Sequence, residues 1–107
     1  MLSAKNRLQK NAQVSRVLNA GKKQKYGPLL VFTAPSENPA KFAVVVSKKV
    51  AKFAVKRNHL RRLTFEIIRT TLPLDQLTGE VVVVFLYLPQ DPQAEITQAL
   101  KQWHAAP

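Results

Sequence analysis

The chain has 107 residues, a length that fits one domain with a single modest core, so we treat residues 1–107 as one domain. Its 17 Lys and Arg residues outnumber 6 Asp and Glu, and this formal net charge of +11 makes nucleic acid the first partner to consider. There is no cysteine, which excludes disulfides and thiolate metal sites.

The charge is unevenly distributed along the chain. Sixteen of the basic residues lie in the first 69 positions, where only Glu37 and Glu66 oppose them, whereas Lys101 is the only Lys or Arg beyond. The amino-terminal MLSAKNRLQKN lacks the apolar core of a signal peptide, and the longest apolar run, Val81 to Leu88, is far shorter than the roughly 18 residues of a membrane helix. We expect a soluble, cytoplasmic protein without a membrane partner.

The first half of the chain predicts one helix and two strands. Apolar residues recur at helical spacing from Asn11 to Ala20, and Gly21 follows as a natural stop. Two β-type runs come next, Leu29 to Ala34 and Phe42 to Ser47, with a turn-forming stretch between them. Their proximity in sequence suggests an antiparallel hairpin.

A second helix is predicted from about Ala54 to Leu72, where Pro73 ends it. Its apolar stripe, which we expect to face the core, consists of Leu60, Leu63, Ile67 and Thr71. On the other side of the helical wheel a basic face is formed by Asn58, Arg61, Arg62, Phe65 and Arg69. The helix therefore presents one apolar and one basic face.

The last part of the chain predicts a buried strand and a final helix. Val81 to Leu88 is apolar at nearly every position, as is typical of a central strand covered on both faces. Asp91 can cap a helix that runs to about His104. The order α-β-β-α-β-α, with room for a further short strand, indicates an α+β fold, an α-β sandwich with a sheet covered on one face.

The segment from Ser47 to Arg69 carries the strongest functional signal. A strand there runs into a basic loop and then into the basic helix, and Lys and Arg beside amide and aromatic side chains suit RNA. A helix face that only keeps a protein soluble usually alternates its charges, but Glu66 is the sole acid of this helix. One-signed charge of this kind indicates an anionic partner.

This segment resembles the arginine-asparagine-arginine region of the bacterial ribonuclease P protein, in which a strand ending in Ser-Lys-Lys precedes a loop and a helix opening near Arg-Asn. The matching positions are Ser47, Lys48, Lys49, Arg57, Asn58, Arg61 and Arg62. KNRLQKN followed by a short helix resembles the family's opening, and a valine-rich strand followed by a terminal helix resembles its end. The likeness covers nearly the whole chain.

The resemblance implies a fold and two binding surfaces. The fold is a sandwich of helices packed on a mixed central sheet, with a left-handed crossover through the basic helix. The surface implied to bind the catalytic RNA consists of Lys48, Lys49, Lys52, Lys56, Arg57, Asn58, Arg61, Arg62, Phe65 and Arg69. A cleft between the first helix and the sheet, implied to receive the 5′ leader of precursor tRNA, consists of Arg7, Val14, Leu18, Phe32 and Val45.

Several residues depart from the family's pattern. His59 occupies a position where arginine is usual, and Phe65 stands where another basic residue is common but could stack on a base. Val14 and Leu18 replace aromatic residues typical of the cleft. The last strand, VVVVFLYLP, lacks an arginine that the family often has near its end.

The implied function is that of an accessory subunit. No carboxylate cluster or histidine pair predicts a protein catalytic site or a metal site, so the endonucleolytic chemistry should belong to the RNA. The resemblance implies Mg²⁺ for the RNA holoenzyme, no cofactor on the protein alone, and one monomer per catalytic RNA, with precursor tRNA as substrate. The alternative is a basic ribosomal or other structural RNA-binding protein, which composition alone does not separate from it.

Overall fold

The computed structural model describes residues 4–8 and 11–106. Their helices and strands are α1 (Asn11–Ala20), β1 (Lys22–Tyr26), β2 (Leu29–Pro39), β3 (Lys41–Val45), α2 (Ala54–Thr71), β4 (Thr78–Phe85) and α3 (Pro92–Ala105). Short 3₁₀ turns lie at Ala4–Asn6 and Leu74–Gln76. No helix in these ranges is both long and apolar enough to cross a membrane.

The four strands form one mixed sheet in the order β1-β2-β4-β3. β2 pairs antiparallel with both β1 and β4, whereas β3 and β4 run parallel. Parallel neighbours need a crossover connection, and α2 supplies it. β4 is an interior strand, and Val81, Val82 and Val83 are buried on alternate faces of the sheet, as the uninterrupted apolar run predicts.

Helices cover both faces of the sheet. The larger core lies under α2 and α3 and takes Val81, Val83 and Phe85 from β4. The smaller core lies under α1, where Val17 packs with Val82. Because successive strand residues point to opposite faces, this division fixes α1 on the face opposite α2 and α3.

Three sequence-based expectations about the sheet were wrong. The two early strands do not form a hairpin, since β4 lies between β2 and β3. The sheet is not covered on one face only, because α1 packs on the second face. The last strand ends at Phe85, not at Leu88, because Phe85 pairs with Leu29, the first residue of β2, and no strand partner continues beyond it.

Each predicted helix is confirmed, with a shift in the buried side of α2. Leu60 and Ile67 are buried as expected, but Thr64 and Ile68 are buried as well, while Leu63 is only half-buried. The Thr64 hydroxyl donates to the Leu60 carbonyl at 2.7 Å, which lets this polar residue lie inside. The buried side of the helix is therefore centred slightly away from the predicted stripe.

Gly21 ends α1 at a point of close backbone approach. Its amide donates to the Val17 carbonyl at 2.8 Å. A Cβ atom at this position would lie 2.6 Å from the Val17 oxygen and 2.9 Å from the Thr33 oxygen. Only glycine fits there without moving the backbone, and this contact sets α1 directly against the sheet.

Candidate RNA-binding surface

The loop after β3 exposes a group of lysines. The Ser47 carbonyl accepts hydrogen bonds from the amides of Val50 and Ala51, both at 3.1 Å, so the chain turns sharply. The turn leaves three predicted RNA-binding side chains in solvent: Lys48, Lys49 and Lys52. Lys56, in the first turn of α2, is also exposed. We name this loop together with the exposed side of α2 the basic surface.

Arg57 also holds the loop in place. Its Nη1 donates to the carbonyls of Ala51 at 3.0 Å and Lys52 at 2.8 Å. The side chain is half-buried, and Ala51 is buried. Hydrogen bonds from a charged donor are among the stronger ones, so Arg57 fixes the shape of the loop that carries the lysines.

Farther along α2 the predicted residues differ in exposure. Arg62 and Arg69 are exposed, whereas Arg61 and Asn58 are half-buried, and Arg61 donates a hydrogen bond to the Asn58 side-chain oxygen. Phe65 is half-buried and packs against the larger core. The helical wheel placed its ring on the polar side, but the ring contributes mainly to packing.

The one acid of α2 pairs with a base of the same surface. Arg69 donates to both carboxylate oxygens of Glu66, three residues earlier on the helix. The guanidinium of Arg69 lowers the pKa of Glu66 to about 2, and in return Glu66 raises the pKa of Arg69. Glu66 therefore carries its negative charge inside a positive surface at every physiological pH.

The predicted cleft residues come together on the opposite face. Val14 and Leu18 of α1, Phe32 of β2 and Val45 of β3 are all partly buried against the smaller core. We name this group the α1 cleft. Their partial exposure leaves apolar surface accessible beside α1.

Arg7, also predicted for the cleft, lies at the edge of the sheet but does not join this group: its bridge partner Phe42 packs in the larger core, whereas the next residue, Leu8, packs in the smaller core under α1. Arg7 forms a parallel bridge with Phe42 of β3, and the next amide, that of Leu8, donates to the Phe42 carbonyl at 2.8 Å. Among the described side chains, the Nε atom of Arg7 is buried and has no hydrogen-bond partner. The structure therefore does not bring Arg7 together with the four apolar residues of the α1 cleft.

Sequence reasoning missed two lysines that lie on the same face of the sheet as the α1 cleft. Lys23 lies directly opposite Phe32, and Lys25 opposite Leu30, in the antiparallel pair of β1 and β2. Opposite residues in such a pair share a face, so both lysines lie on the α1 side of the sheet. If KKQKY had been recognised as a strand, the alternation of successive side chains between its two faces would have placed Lys23 and Lys25 on one face.

An ion pair joins α1 to β4 on the same face of the sheet as the α1 cleft. Arg16 Nη2 of α1 lies 2.5 Å from Glu80 Oε1 of β4. The Glu80 side chain is only 13% exposed, and its strand position pairs with Lys41 of β3. Glu80 thus lies near the start of β4, whereas Lys23 and Lys25 are in register with residues farther along that strand.

In the described part of the chain, no three His, Asp or Glu residues lie close enough to hold a metal ion. His59 and His104 are exposed on different helices. The arrangement offers charge, apolar contact and shape, which are the means of binding an RNA.

The fold and these two surfaces define a class of protein, the small basic α-β sandwich that binds nucleic acid. The model of the Ribonuclease P family matches residues 2–106, and the chain therefore belongs to the ribonuclease P protein family. It is a protein subunit of the ribonuclease P holoenzyme, an endoribonuclease that processes tRNA, and its partner is ribonuclease P RNA.

Solved structures with the same fold are bacterial ribonuclease P proteins. The RNase P protein of Staphylococcus aureus has a TM-score of 0.66 and 23% identity, covering 91% of this chain and 90% of that chain. The RNase P protein from Thermotoga maritima in complex with 1-(4-fluorophenyl)-2-thiourea has a TM-score of 0.71 and 18% identity, covering 94% and 100%. No curated protein sequence matches this chain.

Proposed function

We propose that the basic surface docks on the ribonuclease P RNA and that the α1 cleft holds the 5′ leader of precursor tRNA. The observation that supports this proposal is that the sheet separates two unlike surfaces, the exposed basic residues of the loop and α2 on one face and the partly buried apolar residues beside α1 on the other. An RNA duplex or junction presents mainly phosphates, which match the exposed lysines and arginines of the loop and α2. A single-stranded leader presents bases as well, which match an apolar cleft with a basic rim.

The division of labour leaves the chemistry to the RNA. The protein contributes cations on both faces, so it can neutralise phosphates of the catalytic RNA and of the substrate at the same time. Mg²⁺ bound by the RNA supplies the metal chemistry, and one protein monomer serves one RNA. The protein should therefore lower the Mg²⁺ concentration that cleavage requires.

Reconstitution tests the proposal. We expect the purified protein to increase cleavage of precursor tRNA by a bacterial ribonuclease P RNA at low magnesium, giving the mature 5′ end. A mixture in which the protein binds the RNA but leaves the cleavage rate unchanged at every magnesium concentration would contradict it.

Docking through the basic surface is tested by salt dependence. Lys49→Ala, Lys52→Ala and Arg62→Ala should each weaken RNA binding and flatten the plot of log affinity against log salt by about one unit per lost phosphate contact. Lys101→Ala is the matched control, since Lys101 is an exposed lysine of α3 and belongs neither to the loop nor to α2. Equal slopes for all four variants would rule out this surface.

A further inference from the structure

The exposed large apolar side chains of the described residues all follow β3 or β4 in the chain. Two belong to the start of α2, where Phe53 is 69% and Val55 82% exposed. The other three, Leu86, Tyr87 and Leu88, follow β4 and are between 41% and 47% exposed. We name these five residues the apolar end.

The topology brings the two groups to the same side of the sheet. β3 and β4 are parallel neighbours, with Val45 opposite Val84, so the chain leaves both strands at the same edge. After β3 it passes through the basic loop into α2, and after β4 it passes through Leu86 to Leu88 towards α3. Both apolar groups therefore follow the carboxyl ends of adjacent strands.

The segment after β4 is held with its side chains outward. The Leu86 amide donates to the Pro28 carbonyl at 2.8 Å, and Pro89 is buried. Leu86, Tyr87 and Leu88 leave apolar surface in contact with water, which is unfavourable for an isolated protein. Contiguous exposed apolar surface on a soluble domain marks a site of interaction.

The positive charge around the apolar end favours an anionic partner. Lys48, Lys49, Lys52 and Lys56 are exposed beside it, and the sequence has no acid between Glu37 and Glu66. A second copy of the chain would bring these like charges together. An RNA brings phosphates to the lysines and unpaired bases to the apolar side chains.

We propose that the apolar end stacks unpaired bases of the ribonuclease P RNA, with Phe53 and Tyr87 as the stacking side chains. Lys52 Nζ lies 5.7 Å from the centre of the Phe53 ring, so a cation covers one face of the ring and its other face can receive a base. This inference rests on the proposed function, since it assigns further contacts to the same docked RNA.

The test separates stacking from charge. Phe53→Ala and Tyr87→Ala should each weaken binding of the ribonuclease P RNA by about five- to a hundredfold, the range typical of one lost base stack, without changing the salt slope. Phe53→Tyr and Tyr87→Phe retain an aromatic ring and should bind like wild type, and Phe53→Leu, which is apolar but not aromatic, should bind like Phe53→Ala. Chemical probing of the RNA should show unpaired nucleotides that wild type protects and the Ala variants leave reactive.

Several results would overturn the inference. If both Ala variants bind like wild type while Lys52→Ala still flattens the salt slope, the inference fails and the proposed docking stands. If wild-type binding has no salt dependence, the proposed docking itself fails. If sedimentation shows that the Ala variants break up a dimer and leave RNA affinity unchanged, the apolar end binds a second copy of the chain, not RNA.

Discussion

Arg57 makes structural contacts with the loop before α2, so its mutation should lower the stability of the protein. Its two hydrogen bonds to loop carbonyls, of which the one to Ala51 is partly buried, would be lost in Arg57→Ala. We expect this variant to lose about 1 to 3 kcal/mol of unfolding free energy. Urea denaturation provides the measurement, and Arg62→Ala, which removes an exposed arginine of the same helix, should stay within about 0.5 kcal/mol of wild type. Equal stabilities for the two variants would contradict the holding role of Arg57.

Glu66 is the one residue of the basic surface whose removal should improve RNA binding. Glu66→Gln removes a negative charge and frees Arg69 for phosphate, so we expect affinity for the ribonuclease P RNA to rise about two- to fivefold at low salt. Because the pKa of Glu66 is about 2, the wild-type carboxylate is ionised at both pH 6 and pH 8. The gain should therefore be the same at both pH values.

Glu37→Gln provides the control for this prediction, since it makes the same change in net charge on β2, outside the basic surface. It should raise affinity much less than Glu66→Gln. Equal gains from the two variants would mean that only the total charge matters.

The residues that sequence reasoning placed well are those whose environment is local. Val14 and Leu18 are one helical turn apart, and their shared face follows from the helix alone. Phe65 and Arg57 were described less well because their surroundings are not local. A helical wheel does not show that the core extends round to Phe65, nor that the preceding loop folds back within reach of Arg57.

Among the elements, α1 should determine how strongly the protein binds the leader, because it lines the α1 cleft. Val14→Phe adds an aromatic ring beside Phe32, and base stacking is worth about 1 to 3 kcal/mol per base. We expect the variant to gain more affinity than wild type when a precursor tRNA has several leader nucleotides instead of one. Comparing the two substrates with the two proteins in a binding assay measures this gain.

Compared with Val14→Phe, wild type should bind the leader more through the charges of Lys23 and Lys25, and its preference for the longer leader should therefore weaken as salt is raised. Val14→Phe should retain more of its preference, since stacking is less sensitive to salt. If wild type already gains as much from the longer leader as Val14→Phe does, the cleft lacks no stacking residue and this interpretation is wrong.

The strands show where sequence patterns were insufficient. β1 has the sequence KKQKY, which lacks the apolar alternation of a half-buried strand because it lies at the sheet edge with four exposed residues. Lysine on an edge strand discourages pairing with other chains, so a composition that conceals the strand also protects it. The hairpin prediction failed because pairing partners depend on distant segments, and β4 enters between two strands that are close in sequence.

The whole molecule carries a net charge of +11, so self-repulsion opposes its compact state. Sulfate bound at the basic surface should relieve it, and we expect sulfate to raise the melting temperature more than chloride does at equal ionic strength. Sulfate also stabilises proteins generally, by exclusion from their surfaces. The double variant Lys48→Glu, Lys52→Glu separates the two effects in thermal unfolding, since it should gain less from sulfate than wild type. If sulfate raises the melting temperature of both proteins equally, it stabilises them only by exclusion from their surfaces and does not bind at the basic surface.

The interior position of β4 also determines how this sheet can form. β4 follows the other three strands in sequence, yet it supplies the partner of both β2 and β3. During synthesis β3 lacks a neighbouring strand until β4 emerges, since its other partner is only the short bridge to Arg7, and α2 has little sheet to pack on. Such long-range pairing slows folding and leaves strand edges open to other chains in the meantime. We therefore expect folding to be cooperative and late, with no native-like intermediate made of the residues before Thr78 alone.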